Sequence, residues 1–336
     1  MVTPTTSPTC RALGRTSSTP HPLQLGISIL PGLEALETTL GSLYHCPWGA
    51  KIFPPDPYEG ENVSNENNFS SYASLLTLYE ALNNYTGCSG SDPLLSYGCQ
   101  VSKKLKDGLD KWFNDPKILS QPKEMPNGDQ VVPQGGHINS TGYHPVPINN
   151  VAGLAVDCQT WGMTVMSSTR MDKNFGTGTA MKVWKTTKKY AGYYKGNVLA
   201  GVGYTDLTDL NTSTPVAQND IWSAEWTFGA INMAQTLAAE YLAAGDSASH
   251  QVLMTDAQSM YNEVTKLWPE GLRFPDGSYV YANRRFFIPW GWFSNPIAAT
   301  CSTAWSVLQD LNFDPFHYWG GNKPALKVPP HLEGTH

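Results

Sequence analysis

The sequence predicts a mainly helical protein in which paired helices form an α/α toroid. Helical spacing of apolar residues recurs through most of the chain. Two loops, at about 114–149 and 192–218, are longer than the connections of a plain helical bundle. Long loops that gather at one end of paired helices line the mouth of a cleft, so these two features together favour a toroid over a bundle.

Each segment in which apolar residues recur at helical spacing, here called an apolar stripe, predicts one helix. Eight stripes are found, near 32–44, 64–84, 101–114, 150–168, 178–191, 220–241, 253–268 and 296–311. The spacing changes near 272–287, where Asp276-Gly277 lies between alternating residues and predicts a small β-hairpin. We divide the chain into a Ser/Thr/Pro-rich N-terminal segment (1–30), a single toroid domain (31–320) and an extended C-terminal tail (321–336).

Composition limits the classes of function. The formal net charge is −6 and no basic stripe is present, which argues against nucleic acid as a partner. No apolar run is long enough to span a bilayer. Only 15% of the residues are charged while 11% are aromatic, a composition that fits an extracellular protein presenting aromatic surface to carbohydrate. A large core rich in aromatic residues would give the same composition.

Cysteines and glycosylation motifs point to secretion. Cys88 and Cys99 flank a short polar segment between two helices, where a local disulfide is expected, whereas the sequence leaves Cys158 and Cys301 open as free thiols or a core disulfide. Five Asn-X-Ser/Thr acceptor motifs are present, which is more than chance predicts. They begin at Asn62, Asn68, Asn84, Asn139 and Asn211.

Two acidic residues among tryptophans are the leading catalytic candidates. Glu225 opens a helix directly after a long loop, and Asp157 lies in an apolar helix one turn before Trp161. A partly desolvated carboxyl group has a raised pKa, which is what a general acid at a glycosidic bond requires. Helix capping, pairing with a basic side chain or a buried backbone hydrogen bond would explain the same residues structurally.

Further candidates surround these two. Glu66, Asn67 and Asn68 cluster at a helix start, where they could bind sugar hydroxyls or cap the helix. The remaining substrate-binding candidates are aromatic or charged residues of two segments, namely Asp220, Trp222, Trp226, Arg284, Trp290 and Trp292. His137 and His144 lack the neighbours of a metal site, and no nucleotide, serine-hydrolase or metalloprotease motif is present, so neither a metal nor a cofactor is predicted.

The helix pairs and three motifs resemble the six-hairpin (α/α)6 glycosidase superfamily. The motifs are ENN at 66–68, DCQTWG at 157–162 and IWSAEWTFG at 221–229. The resemblance is architectural, covers about 30–320 and matches no single family residue by residue. It implies an inverting hydrolase with two carboxyl groups. A complete toroid needs twelve helices, and only about eight are predicted. Truncation, short helices that the spacing does not reveal, or a fold kept without its function would each explain the difference.

The sequence therefore predicts a secreted inverting glycoside hydrolase in which Glu225 is the acid, Asp157 the base and Glu66 a substitute. Trp161 and the other tryptophans would form the sugar subsites. One alternative is a non-catalytic extracellular glycoprotein that self-assembles through its N-terminal segment. Another is a polysaccharide lyase, which would place a Tyr or His beside Arg284.

Overall fold

The computed structural model describes residues 21–46, 62–115, 123–124, 129–145, 154–204, 220–288, 292–317, 321 and 323–332. The described residues are mainly helical. Their α-helices are α1 (His21–Ala35), α2 (Asn65–Thr86), α3 (Pro93–Asn114), α4 (Val156–Met166), α5 (Ser168–Phe175), α6 (Thr179–Ala191), α7 (Ala224–Ala243), α8 (Ser247–Val264) and α9 (Thr300–Asp310).

Short antiparallel strands connect the helices. They are β1 (Asn62–Ser64), β2 (Lys123–Glu124), β3 (Gln130–Val131), β4 (Gly135–Asn139), β5 (Gly142–Pro145), β6 (Gly192–Lys195), β7 (Val198–Val202), β8 (Phe286–Ile288) and β9 (Trp292–Ser294). The order β1–β4–β5 forms a three-stranded sheet, while β2–β3, β6–β7 and β8–β9 are two-stranded. The first sheet pairs Ser64, the residue before α2, with Gly135 and so fixes where α2 begins.

Four helices form a row through the interior. Helix α2 packs against α4, α4 against α7, and α7 against α9, while α3, α6 and α8 pack behind α2, α4 and α7. Two glycines allow neighbouring helices of the row to pack closely. A Cβ on Gly162 would lie 2.8 Å from the Phe69 ring, and one on Gly229 would lie 2.7 Å from Trp161 Nε1. A larger side chain at either position would push neighbouring helices apart.

Helix α7 is the centre of the core. Almost every side chain from Ala224 to Ala238 is buried, which explains why this segment is apolar all round rather than on one stripe. By contrast, α3 buries one face and exposes basic and acidic residues on the other, as expected for an outer helix. No helix among the described residues has the length and apolar character needed to cross a membrane.

The predicted helices after residue 64 correspond to observed ones, but three local predictions were wrong. The helix expected near 32–44 instead ends at Ala35 and is followed by turns. The two regions predicted as loops contain β2–β5 and β6–β7. Asp276-Gly277 does form a turn, closed by the Arg273–Tyr279 bridge, but the regular hairpin is β8–β9.

One local prediction is confirmed. Cys88 and Cys99 are joined by a disulfide, with Cα atoms 5.1 Å apart, between α2 and α3. Residues 323–329 have no regular secondary structure and are followed by a 3-10 turn at Pro330–Leu332. The predicted N-terminal segment lies outside the described residues, except for its last ten positions, which belong to α1.

Candidate functional site

Four helices of the interior row place their second residues at one location. Glu66 is the second residue of α2, Asp157 of α4, Glu225 of α7 and Cys301 of α9. Each carboxyl group acts electrostatically on another: Asp157 on Glu66, Glu225 on Asp157 and Glu66 on Glu225. The helices that carry these residues therefore start at the same end of the row. We call Glu66, Asp157 and Glu225 the carboxylate cluster.

The three members of the carboxylate cluster differ in accessibility. Asp157 is 5% exposed and forms the floor, while Glu66 and Glu225 are half-buried. An Asp157 carboxylate oxygen accepts a hydrogen bond of 2.6 Å from the backbone N–H of Cys158. Glu66 and Glu225 therefore keep part of their surface exposed, whereas Asp157 is enclosed.

All three carboxyl groups have pKa values above their ordinary range. Burial, followed by repulsion from Asp157, raises the pKa of Glu66 to about 8. Burial raises the pKa of Asp157 to about 6, because the hydrogen bonds from Cys158 offset only part of it and Glu225 adds repulsion. Burial and the Glu66 charge also raise the pKa of Glu225. At neutral pH, Glu66 is the group that holds a proton best.

Helix dipoles oppose these shifts but do not cancel them. Each carboxyl group lies in the first turn of its helix, where the dipole favours negative charge by roughly 0.3–1 kcal/mol. One pKa unit corresponds to about 1.4 kcal/mol. A shift from 4.5 to about 8 therefore shows that loss of hydration and mutual repulsion dominate at Glu66.

Two thiols flank the carboxylate cluster. Cys301 is exposed and its thiol bonds to the Glu225 carboxylate, which works to lower the pKa of Glu225. Burial, with the Glu225 charge, raises the pKa of Cys301 to about 11, so the sulfur remains a protonated donor. Cys158 is buried, with its Sγ 3.7 Å from the carbonyl oxygen of Gln134. Both cysteines are free thiols, which settles the question that the sequence left open.

An aromatic surface adjoins the carboxylate cluster. Trp161 lies one helical turn beyond Asp157, and Trp305 lies one turn beyond Cys301. The two rings stack with centroids 5.9 Å apart, and Phe316 packs beside Trp161 at 5.6 Å. Both tryptophans are half-buried. Trp305 was missed by the sequence analysis as a site residue, although its spacing from Cys301 repeats that of Trp161 from Asp157.

Two of the predicted sugar-binding tryptophans are core residues instead. Trp222 is 1% exposed and stacks on Tyr193 at 5.0 Å, with Lys195 Nζ 4.5 Å from its ring centroid. Trp226 is 6% exposed and packs edge-on against Tyr204 at 4.4 Å. Neither side chain has the open face that stacking on a sugar ring requires, so their assignment to a subsite was wrong.

The other predicted binding residues do not join the carboxylate cluster through any described contact. Asp220 and Asn67 are exposed, and the Asn67 backbone N–H donates to the capping hydroxyl of Ser64. Arg284 donates to the carbonyl oxygen of Arg285 and lies over the Phe286 ring. Trp290 lies outside the described residues, and Trp292 is described only by its backbone pairing with Ile288.

The predicted glycosylation positions differ in exposure. Asn84 and Asn139 are exposed, Asn62 is half-buried in β1, and Asn211 lies outside the described residues. Asn68 is fully buried, and its amide bonds to Leu43 and to the carbonyl oxygen of Ser64. A glycan on Asn68 is incompatible with this fold, so that prediction was wrong.

The two candidate metal-binding histidines stack on each other, with ring centroids 4.9 Å apart, and His144 bonds to Asn139 and Thr141. Among the residues that the structure describes, no three His, Cys, Asp or Glu side chains are arranged to hold a metal ion. Comparison of the chain with protein-family models, curated proteins and solved structures finds no match. The carboxylate cluster is therefore interpreted from its own geometry.

Proposed function

We propose that this protein is a secreted glycoside hydrolase that inverts the configuration of its substrate and that its active site is the carboxylate cluster. The observation that carries the proposal is that two accessible carboxyl groups with raised pKa values lie beside an aromatic surface. Inverting hydrolysis needs one protonated carboxyl group and one carboxylate, and sugar rings stack on aromatic faces.

Accessibility and proton affinity support particular roles. Glu66, with a pKa of about 8, donates its proton to the glycosidic oxygen as the bond to the anomeric carbon breaks. Glu225, whose charged form is favoured by the Cys301 thiol, takes a proton from the water that attacks the opposite face of the sugar. Asp157 is too enclosed to contact substrate, so it acts by helping to keep the proton on Glu66. These roles revise the sequence-based assignment of Glu225 as acid and Asp157 as base.

The Trp161–Trp305 surface supports carbohydrate as the substrate class. The Trp161 and Trp305 rings stack on each other and keep part of their apolar surface exposed one helical turn from the carboxylate cluster. A sugar that packs its C–H face there would bring its glycosidic bond within reach of the carboxyl groups one helical turn away. The resemblance to six-hairpin glycosidases, and with it the α/α toroid, belongs to this same proposal.

Secretion and glycosylation belong to the proposal as well. The Cys88–Cys99 disulfide requires an oxidising compartment, and the Asn84 and Asn139 motifs are exposed where a glycosyltransferase could reach them. Protein secreted from a eukaryotic host should lose mass on enzymatic deglycosylation, and Asn84→Gln and Asn139→Gln should each remove part of that loss. An unchanged mass would contradict this part of the proposal.

The test of the hydrolase is reducing-sugar release from a panel of poly- and oligosaccharides. Glu66→Gln and Glu225→Gln should each lower kcat by roughly 10²–10⁴-fold, because each removes one proton-transfer step. The wild-type pH profile should fall on its alkaline side near pH 8, where Glu66 loses its proton. Asp220→Asn, an exposed acid outside the carboxylate cluster, is the matched control and should retain activity.

The alternatives predict other outcomes. A non-catalytic glycoprotein that assembles through its N-terminal segment would release no sugar from any substrate and would change size when residues 1–20 are deleted. A lyase would generate unsaturated products that absorb near 235 nm and would depend on Arg284. Release that Glu66→Gln and Glu225→Gln leave intact would overturn the assignment of the carboxylate cluster.

A further inference from the structure

A groove of about 340 Å³ lies on the far side of α9 from the carboxylate cluster. Its walls come from α8, from the turn at 273–279, from α9 and from the C-terminal segment. Cys301 and Trp305 share one face of α9, whereas Thr303, Ser306 and Asp310 lie on the opposite face and line the groove. We call this space the α9 groove; it is separate from the proposed active site and does not rest on the proposed function.

Part of the lining of the α9 groove is polar. It includes Arg273, Asp310, Tyr261 and Tyr279. The Tyr261 hydroxyl donates to Asp310 Oδ1 at 3.0 Å. Burial, followed by the Asp310 charge, raises the pKa values of both tyrosines, so both are neutral hydroxyl groups at physiological pH. The polar residues therefore offer donors and acceptors, and the charges of Arg273 and Asp310 are opposite.

The rest of the lining includes aliphatic side chains that are open to solvent. Val307 is 50% exposed and Val328 is 52% exposed, with Leu326 and Leu332 beside them. Leu311, 71% exposed, follows directly at the end of α9. Solvent-exposed aliphatic side chains that adjoin a cavity indicate a binding surface more often than scattered single ones do.

The mixture of polar and aliphatic lining residues selects a ligand class. An anion or a cation would meet one favourable and one unfavourable charge, whereas a neutral ligand with hydroxyl groups could bond to the polar residues. The aliphatic residues suit the C–H face of a sugar ring. The volume lies at the lower end of the range for small-molecule sites, about 300–1,000 Å³. We propose that the α9 groove is a second, non-catalytic binding site for a neutral mono- or disaccharide.

The test is calorimetric titration of the full chain with methyl glucoside, methyl mannoside, N-acetylglucosamine, maltose and cellobiose. At least one should bind saturably, and the affinity should fall by tenfold or more in Tyr279→Phe and in Arg273→Met. Tyr279→Phe keeps the ring that packs edge-on against Phe228, so it removes the hydroxyl group without opening the core. If Arg273→Met does not fold, the affinity of Tyr279→Phe alone tests the proposal.

Two control variants locate the binding. Arg285→Met makes the same chemical change at an arginine that lies over Phe293, outside the α9 groove, and should bind like the wild type. Glu225→Gln should also bind normally, because it alters the carboxylate cluster alone. Loss of binding in Glu225→Gln with retention in Tyr279→Phe would overturn the proposal by locating the sugar at the carboxylate cluster.

Three further results would also overturn it. They are absence of binding by every neutral sugar, unchanged affinity in both groove variants, and, when glucosamine and glucuronate are titrated as charged comparisons, binding of only these two, which would contradict the neutral ligand class. Because binding is measured without turnover, a protein that binds sugar in the α9 groove but hydrolyses none would contradict the proposed function while supporting this inference.

Discussion

Two buried acidic regions of this molecule have opposite electrostatics. In the carboxylate cluster, the charges that act on Glu66 and Glu225 are those of other carboxyl groups, and the pKa values rise. Asp314 is fully buried, yet its pKa lies below the ordinary range because hydrogen bonds and the positive charge of His317 outweigh the effect of burial. Burial alone therefore does not set protonation; the partners decide it.

The surroundings of Asp314 are those of a structural group. Its carboxylate accepts hydrogen bonds from Asn232, Thr236, His317 and the backbone N–H of Phe316, at 2.7–3.0 Å. Lys323, 6% exposed, bonds to Asn232 Oδ1 and Gln309 Oε1 in the same region and ties the C-terminal segment to α7 and α9. We call these residues the Asp314 network. Complete pairing there supports the fold, whereas incomplete pairing in the carboxylate cluster leaves groups that can exchange protons.

The largest expected difference between the regions is in stability. Asp314→Asn should lower the free energy of unfolding by roughly 3–5 kcal/mol, because it breaks a buried charge pair and leaves donors without an acceptor. Glu225→Gln should leave the free energy unchanged or raise it, because it removes a repelled, half-buried charge. Urea denaturation at neutral pH measures both. Equal losses would contradict the distinction between the two regions.

The next largest expected effect is the contribution of the carboxylate cluster to the pH dependence of stability. The folded-state pKa of Glu66 is about 8 against 4.5 for the unfolded chain, so the folded state binds more protons between these values. The stability that this provides is complete below pH 4.5 and is lost as the pH rises through about 8. Glu66→Gln should flatten the decline in unfolding free energy over that window. If the unfolding free energy of the variant declines by the same amount, groups other than Glu66 cause the decline.

At acidic pH, the stability that the Asp314 network contributes should change in the opposite direction and fall as the pH falls. Because the pKa of Asp314 is below its ordinary value of 3.8, its contribution is present above that value and is lost as the pH falls through the folded-state pKa. His317, whose pKa its bond to Asp314 raises above 6.5, contributes below pH 6.5 and loses that contribution as the pH rises. Between these limits the Asp314 network is fully charged and paired.

The smallest expected effect is on thiol reactivity. Exposed Cys301 should react with iodoacetamide in the folded protein, whereas buried Cys158 should react only after unfolding. Because burial and the Glu225 charge together raise the pKa of Cys301 to about 11, Glu225→Gln should lower that pKa and speed alkylation several-fold. Peptide mass spectrometry would assign the modified cysteine. An unchanged alkylation rate would contradict a contact between Cys301 and Glu225.

Local sequence patterns predicted the helices well and the strands poorly. The apolar spacing of α6 and α7 is a property of the segment itself. Strands β1 and β4 are short and pair across about seventy residues, so their partners cannot be found from local spacing. Glu66 and Glu225 were found because each opens a helix after a loop, whereas Asp157 was found as an acidic residue within an apolar helix.

Burial of aromatic residues was the harder prediction. Trp161 and Trp222 occur in similar polar-aromatic motifs, yet only Trp161 keeps part of its ring accessible. The difference arises from Tyr193 and Lys195, which come from β6 and cover Trp222. Because β6 itself was not predicted, the sequence offered no sign of that cover.

Infrared difference spectroscopy across a pH titration tests the central claim most directly, because the C=O stretch of a protonated carboxyl group is distinct from that of a carboxylate. We expect a protonated carboxyl band in the wild type at pH 7 that disappears with a midpoint near 8 and is absent from Glu66→Gln. Asp314→Asn, if folded, should keep the band. A wild type with no protonated carboxyl group above pH 6, or a band that Glu66→Gln leaves unchanged, would contradict the account.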